Sequence, residues 1–365
     1  MRALIAGALL LPACGSRSGL LGGGESELLG NQPGAAPLAG FDFRRFRSAC
    51  VDDWQPLETS AAVAAAPLAV VNGELVYGVF DLYMPRTGID ALDLTRRTSR
   101  TVVPSATAED LWVEGDDIWY WDGGELFRVP SVGGTPERVL EVAAPPYPEF
   151  PTSVLATPEA FYWTRGVDGS STMTLWEQRR PSGDADILAS FSVGDFGDVQ
   201  LGAGAESVVV AGFRAAMAVA TASGDETALD VRDDSTLAGV DETGGYYWRA
   251  ANRTARGGRA LEFELRRAPA DGSEATRLWG GRAGKFLSRL WRVETGWLAI
   301  GSYYLADRRP HSVIVHLDAA GNERVLACDT SGYSIMERPV AWESSLYVLV
   351  GRNGIIRIVE IDLSE

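Results

Sequence analysis

From about Pro67 onward, hydrophobic and polar positions repeat one arrangement. A short apolar strand is followed by a Gly- or acid-containing turn and then by an aromatic-rich strand. A loop of variable length leads to a third strand, a tight turn and a fourth. The second strands stand out most clearly: Leu75-Val76-Tyr77, Ile118-Trp119-Tyr120-Trp121, Phe161-Tyr162-Trp163, Val208-Val209-Val210, Tyr246-Tyr247-Trp248, Trp297-Leu298-Ala299 and Leu346-Tyr347-Val348. Tyr77, Tyr120 and Tyr162 recur at intervals of 43 and 42 residues, and later intervals drift as loops change length. Third strands follow at Asp90–Leu94, Leu126–Val129, Thr174–Glu177, Met217–Ala220, Glu262–Arg266, Val313–Leu317 and Ile355–Glu360. These runs are too short and too β-rich for helices, and they are apolar on both faces, as strands sandwiched between two neighbouring sheets must be. A four-strand repeat of about 40–50 residues is the signature of propeller blades. The expected fold is therefore all-β, a seven-bladed propeller of four-stranded antiparallel blades beginning near residues 67, 109, 153, 199, 236, 288 and 338. Two β-sandwiches are the competing architecture.

Unit seven ends at Leu363-Ser364-Glu365, directly after its third strand. A missing fourth strand leaves an open sheet edge unless another segment supplies it. The segment 48–63, with Cys50 and Trp54, is the natural donor, so the ring is expected to close through N-terminal residues. The three cysteines are Cys14, Cys50 and Cys328. If the first is otherwise engaged, Cys50 and Cys328 can pair in an oxidising compartment and lock the same seam. Two unrelated buried thiols are the alternative.

Ahead of the repeats, Met1-Arg2 is a minimal positive start and Ala3–Leu11 is a nine-residue apolar stretch. As a helix it spans ~14 Å, short of a ~30 Å hydrocarbon core. Such a stretch before small residues has the form of a signal peptide. Leu11-Pro12-Ala13-Cys14 resembles the lipobox of bacterial lipoproteins. That resemblance implies a signal peptide over 1–13, a diacylglycerol on Cys14, and, from Gly15-Ser16, an outer-membrane destination facing periplasm or surface. An ordinary secretory signal with an incidental Cys is the alternative. Residues 14–40 are rich in Gly, Ser and Ala and read as a flexible tether reaching roughly 25–30 Å, with the propeller over 41–365.

The blades also resemble the Tyr-Trp-Thr-Asp propeller repeats of lipoprotein-receptor ectodomains and related bacterial propellers. Tyr120-Trp121-Asp122 and Tyr162-Trp163-Thr164 carry the likeness, with Gly133-Gly134 in a following turn. It covers two or three blades. The acidic fourth position is replaced by Arg165 and Arg249 in two of them, so the resemblance implies ligand or partner binding only by analogy.

Composition narrows the partners. The net charge of −16 disfavours nucleic acid, because an acidic body repels phosphate backbones. Candidate chemistry is sparse. His311 and His316 are five apart on one strand and so face opposite ways, which does not make a shared metal site. Gly280-Gly281-Arg282-Ala283-Gly284-Lys285 has the wrong glycine spacing for a phosphate loop, and Phe286 stands where a Ser or Thr binds metal. Asp116-Asp117 and Asp233-Asp234 sit in no EF-hand loop. No catalytic residue, cofactor or metal site is assigned.

One pattern stands above this background. Turns after the first strands share one face of the disc and hold acids: Glu74, Glu114, Asp116, Asp117, Glu159, Glu206, Asp241, Glu242, Glu294 and Glu343, with no Lys or Arg. Loops after the second strands share the other face and hold Arg249, Arg253, Arg256 and Arg259 in blade five. Blade six adds Tyr303, Tyr304, Arg308 and Arg309. Arg forks match carboxylates and phosphates, and Tyr offers flat contact area. The expectation is a non-catalytic binding or interaction module, anchored to the envelope by lipid, whose partner is an envelope protein or an anionic glycan. Solvated arginines without a partner are the plain alternative for the patch. An envelope glycan hydrolase or lyase, with carboxylates around the central channel, is the alternative function.

Overall fold

The computed structural model describes residues 49–51, Leu57 and 68–363, apart from 81–86, 109, 123–124, 142–150, 167–171, 181–182, 193–198, 205, 213–214, 233–234, 256–257, 282–284, 294, 305–309, 330–333, 336–337 and 353–354. Every regular element among the described residues is a strand. The first, β1 (Ala49–Val51), precedes the blades. Blade one is β2 (Ala69–Val71), β3 (Glu74–Phe80), β4 (Thr87–Asp93) and β5 (Ser99–Val103). Blade two is β6 (Asp110–Glu114), β7 (Asp117–Asp122), β8 (Glu125–Pro130) and β9 (Glu137–Glu141). Blade three is β10 (Pro151–Ala156), β11 (Ala160–Gly166), β12 (Thr172–Arg179) and β13 (Ala185–Ser192). Blade four is β14 (Gln200–Ala203), β15 (Ser207–Ala211), β16 (Ala216–Ala220) and β17 (Glu226–Ala228). Blade five is β18 (Ser235–Asp241), β19 (Gly244–Ala255), β20 (Gly258–Pro269) and β21 (Thr276–Gly281). Blade six is β22 (Lys285–Val293), β23 (Gly296–Tyr304), β24 (Pro310–Asp318) and β25 (Glu323–Asp329). Blade seven is β26 (Ser334–Ile335) and β27 (Val340–Trp342), both paired to β28 (Ser345–Arg352), with β29 (Ile355–Asp362) outside.

Each blade is an antiparallel meander in chain order. Tight turns hold consecutive strands together; Asn72-Gly73 joins β2 to β3 with both residues at positive φ, 51° and 75°, the backbone that a two-residue hairpin turn requires. First strands lie innermost, neighbouring one another around the axis. Seven apolar clusters fill the gaps between consecutive blades, and this arrangement makes the ring. Ile89, Leu111 and Tyr120 join blades one and two, while Trp119, Trp121 and Phe161 join two and three. Leu75, Tyr77, Tyr347 and Ile358 fill the gap between blades seven and one. Apolar residues on both sides of the second strands are needed for this reason: each sheet has a neighbour on either face.

The expected closing segment 48–63 is described at four positions. Ala49–Val51 pairs in parallel with β25 of blade six, setting Cys50 opposite Cys328 in register. Leu57 donates its backbone N–H to Ile358 O of β29, 2.9 Å away, on the edge of blade seven. The rest of that segment, together with 1–40 and hence Cys14, lies outside the described residues.

Candidate functional site

Blade five carries the most unusual element of the molecule. Its central hairpin has 12 residues in each strand, paired without interruption from Gly244↔Pro269 to Ala255↔Gly258. The neighbouring central strands of blade four have only five residues each. The apolar inner half of the hairpin anchors it: Tyr246 and Leu265 pack toward blade six, Tyr247 and Ala268 toward blade four. Tyr247 Oη donates to Gly212 O at 3.1 Å, and burial drives its phenol pKa far above the ordinary value. The outer half continues past these contacts, and Arg253 and Arg259 lie there, opposite Ala260 and Thr254 respectively.

The expected patch is divided by this geometry. Arg256, Arg308 and Arg309 lie outside the described residues. Tyr304 pairs with Pro310 at the end of β23. Tyr303 is buried in the core between blades five and six, with the Lys285 ammonium 4.6 Å from its ring centre, so it is a packing residue and not part of an exposed surface. Arg249 sits opposite Ser235 and Glu264 and turns away from blade six, since its neighbour Trp248 packs on the blade-six side. Strand alternation sends Arg249 to the blade-four side of the sheet.

There Arg249 meets residues that the sequence reading did not single out. Glu264 has one guanidinium nitrogen of Arg249 and one of Arg266 at 3.7 Å, and one of Arg277 at 3.8 Å. The signal lay in β20, where Glu264 and Arg266 alternate with Phe263 and Leu265, leaving one face of an inner strand charged. Next to them a small cleft between blades four and five is lined by Asp230, Arg232, Ser235, Tyr247, Arg266 and Ala275, among others.

On the opposite face, acids of these turns are paired by arginines that arrive from elsewhere. Arg100 pairs with Glu74 and also reaches Ser131 O. Arg180 holds Glu114 in two parallel hydrogen bonds of 2.9 Å across blades two and three, and Arg97 reaches Glu360 of blade seven at 2.6 Å. These arginines come from the strands and turns that follow the third strands, which open on the same face. Asp241 is buried and accepts hydrogen bonds from Thr243 N (2.7 Å) and Tyr246 Oη (2.7 Å), a structural role.

The histidines are buried and engaged. His316 Nε2 lies 3.0 Å from Thr295 Oγ1, and His311 Nδ1 lies 3.2 Å from Asp329 O. Asp116 accepts from Asn72 Nδ2 at 3.2 Å. Among the described residues, no three His, Cys, Asp or Glu converge as a metal site. Asp110 begins β6 and Arg338 stands two residues ahead of β27, at the same end of the innermost strands. Burial pushes the Arg338 guanidinium down to about 10, with the negative charge of Asp110 acting the other way.

No family model matches the sequence, and no curated protein matches it. Solved structures do share the fold. An oligogalacturonate lyase in complex with manganese is 12% identical, with a TM-score of 0.58 over 80% of this chain and 86% of that one. An oligogalacturonate lyase from Vibrio parahaemolyticus is 10% identical, with a TM-score of 0.58 over 88% and 97%. The β-propeller domain of the Trilobed protease from Pyrococcus furiosus, described as having an open velcro topology, is 12% identical, with a TM-score of 0.51 over 84% and 97%. At these identities the likeness shows the propeller scaffold and nothing of its activity.

Proposed function

We propose that the chain is an envelope lipoprotein, lipidated at Cys14, that works as a non-catalytic binding or interaction module through the loop face of blades five and six. The observation that supports this most is the 12-residue hairpin, which carries Arg253 and Arg259 beyond its blade-four neighbour. A long, fully paired two-stranded arm bearing arginines suits an anionic partner, an acidic envelope protein or glycan, better than it suits turnover of a small substrate.

The test is capture of partners from solubilised envelope by the full chain, washed at low and high salt. A specific partner that salt releases, and that is lost when Arg253, Arg256, Arg308 and Arg309 are all changed to Ser, is the expected result. Capture unaltered by the four substitutions removes the arginine face from the account. Lipidation is read separately: Cys14→Ser moves the protein from the membrane to the soluble fraction, and continued membrane retention argues against the anchor. Closure of the ring by the 48–63 segment belongs to the same reading. So does a Cys50–Cys328 bridge, which thiol titration of the unreduced, denatured protein checks: two free thiols at these positions rule it out.

A further inference from the structure

Three guanidinium groups share the Glu264 carboxylate, and the arrangement leaves donors unspent. The separations of 3.7, 3.7 and 3.8 Å are within ion-pair range but longer than hydrogen bonds. Arg266 spends one nitrogen on Ala275 O, yet its Nε and that of Arg249 are buried without a hydrogen-bond partner. Buried donors left unmade are costly, which makes their persistence at one spot informative. Three positive charges face one negative charge, and the nearby Asp230 and Arg232 offset each other. Among its described residues, the cluster therefore carries an excess of two positive charges within a strongly acidic molecule.

Access and construction both suit a ligand. The Arg277 side chain is 48% exposed, those of Arg249 and Arg266 18% and 21%. The three residues of β17, the last strand of short blade four, are themselves exposed. Gly280, opposite Glu264 in β21, provides the room: a Cβ there would fall 1.6 Å from an Arg277 terminal nitrogen and 2.4 Å from its guanidinium carbon. The glycine is thus the floor on which the Arg277 guanidinium lies, and the near-phosphate-loop run that begins at Gly280 finds its structural use here.

The geometry points to an oxyanion-binding site on the blade-four side of blade five, formed by Arg249, Arg266 and Arg277 around Glu264, that takes a carboxylate or phosphate group of a larger ligand. The forks that only approach Glu264 complete their hydrogen bonds on the incoming anion, and Glu264 keeps the three groups together while the site is empty. This deepens the proposed anionic-partner reading and rests on it for the identity of the macromolecule, but the small-anion site stands on its own geometry.

The experiment is titration of the full chain with inorganic phosphate and, separately, with glucuronate, followed by calorimetry at low and high salt. Binding of one equivalent of at least one anion is expected, weakening as salt rises. Arg277→Ser and Gly280→Ala are each expected to weaken it about tenfold or more. The three atoms nearest a Cβ at Gly280 all belong to the Arg277 guanidinium, so unchanged thermal melting shows that the fold is intact. Preference between the two probes identifies the ligand group as phosphate or carboxylate. Absence of binding to both, or binding unaltered in both variants, overturns the site. Changing Arg253, Arg256, Arg308 and Arg309 to Ser should leave anion binding intact; if it alone removes that binding, the site lies on the loop face and the assignment to Glu264 is wrong. Loss of partner capture with anion binding retained would instead leave this site standing and assign the macromolecular contact to the loop face.

Discussion

Arg180 illustrates how a single side chain joins two blades. Its fork grips Glu114 of blade two and Thr157 O of blade three, and its plane lies 4.9 Å from the Trp119 ring centre and 4.8 Å from that of Phe161. Bidentate pairing and ring stacking both depend on the planar guanidinium, so lysine is a poor substitute. At 16% exposure this is not a loose surface pair. Arg180→Ala is expected to lower unfolding stability by about 2–4 kcal/mol, and Arg180→Lys to recover less than half of that. Denaturant titration measures both; a loss under ~0.5 kcal/mol for alanine would show that the clip contributes little. No Lys or Arg occurs in the acidic turns themselves, yet several of those acids are paired, because their partners arrive from turns a strand or a whole blade away.

Among the strands, length distinguishes blade five. The inner half of β19 and β20 holds the interblade contacts through Tyr246, Tyr247, Leu265 and Ala268, whereas 252–261 run past them. Replacing 252–261 with a two-residue Asn-Gly turn should therefore preserve the fold while removing partner capture. The expected fall in Tm is under about 4 °C, since the interblade contacts of Tyr246, Tyr247, Leu265 and Ala268 are kept. A larger fall, with loss of strand signal, would show that the outer ladder is structural. Buried packing also explains why Tyr303 does not serve as a surface anchor: it pairs with Lys285 across β22 and β23, and its side chain completes the core against blade five.

At the scale of the whole molecule, Tyr77, Tyr120, Tyr162, Tyr246, Tyr247, Tyr303 and Tyr347 all pack in the gaps between blades. Burial, reinforced by Asp122, pushes Tyr120 up to about 12, and burial raises Tyr162, Tyr246, Tyr247 and Tyr347 further. A phenol raised in the folded state stabilises the fold fully below the unfolded value near 10. That contribution is lost as pH climbs from about 10 through 12, where the unfolded chain releases protons that the fold retains. The native protein should show only part of its phenolate absorbance at pH ~11, the remainder appearing together with loss of β-sheet signal. Complete ionisation at that pH with the fold intact would contradict the buried placement. Two gaps make this collective: opening the one between blades five and six exposes Tyr246 and Tyr303, and opening the one between blades seven and one exposes Tyr77 and Tyr347.

Much of this architecture is legible in the chain itself. Aromatic second strands from Tyr77 to Tyr347 and apolar runs on both faces specify short strands, and their recurrence specifies seven sheets, because no single sheet can bury two apolar faces alone. The third strands read from sequence fall within or overlap β4, β8, β12, β16, β20, β24 and β29 for the same reason. Tertiary structure alone decided where the charges meet. Whether Arg249 turns toward blade six or blade four depends on strand alternation counted from a packed neighbour, and register shifts at Leu237/Gly239 and Leu265/Arg266 obscure that count in sequence. The meeting of Glu264 with Arg277, of Glu114 with Arg180 and of Arg97 with Glu360 depends on register and ring closure. Those are long-range consequences of packing seven sheets about one axis, and local spacing along the chain does not contain them.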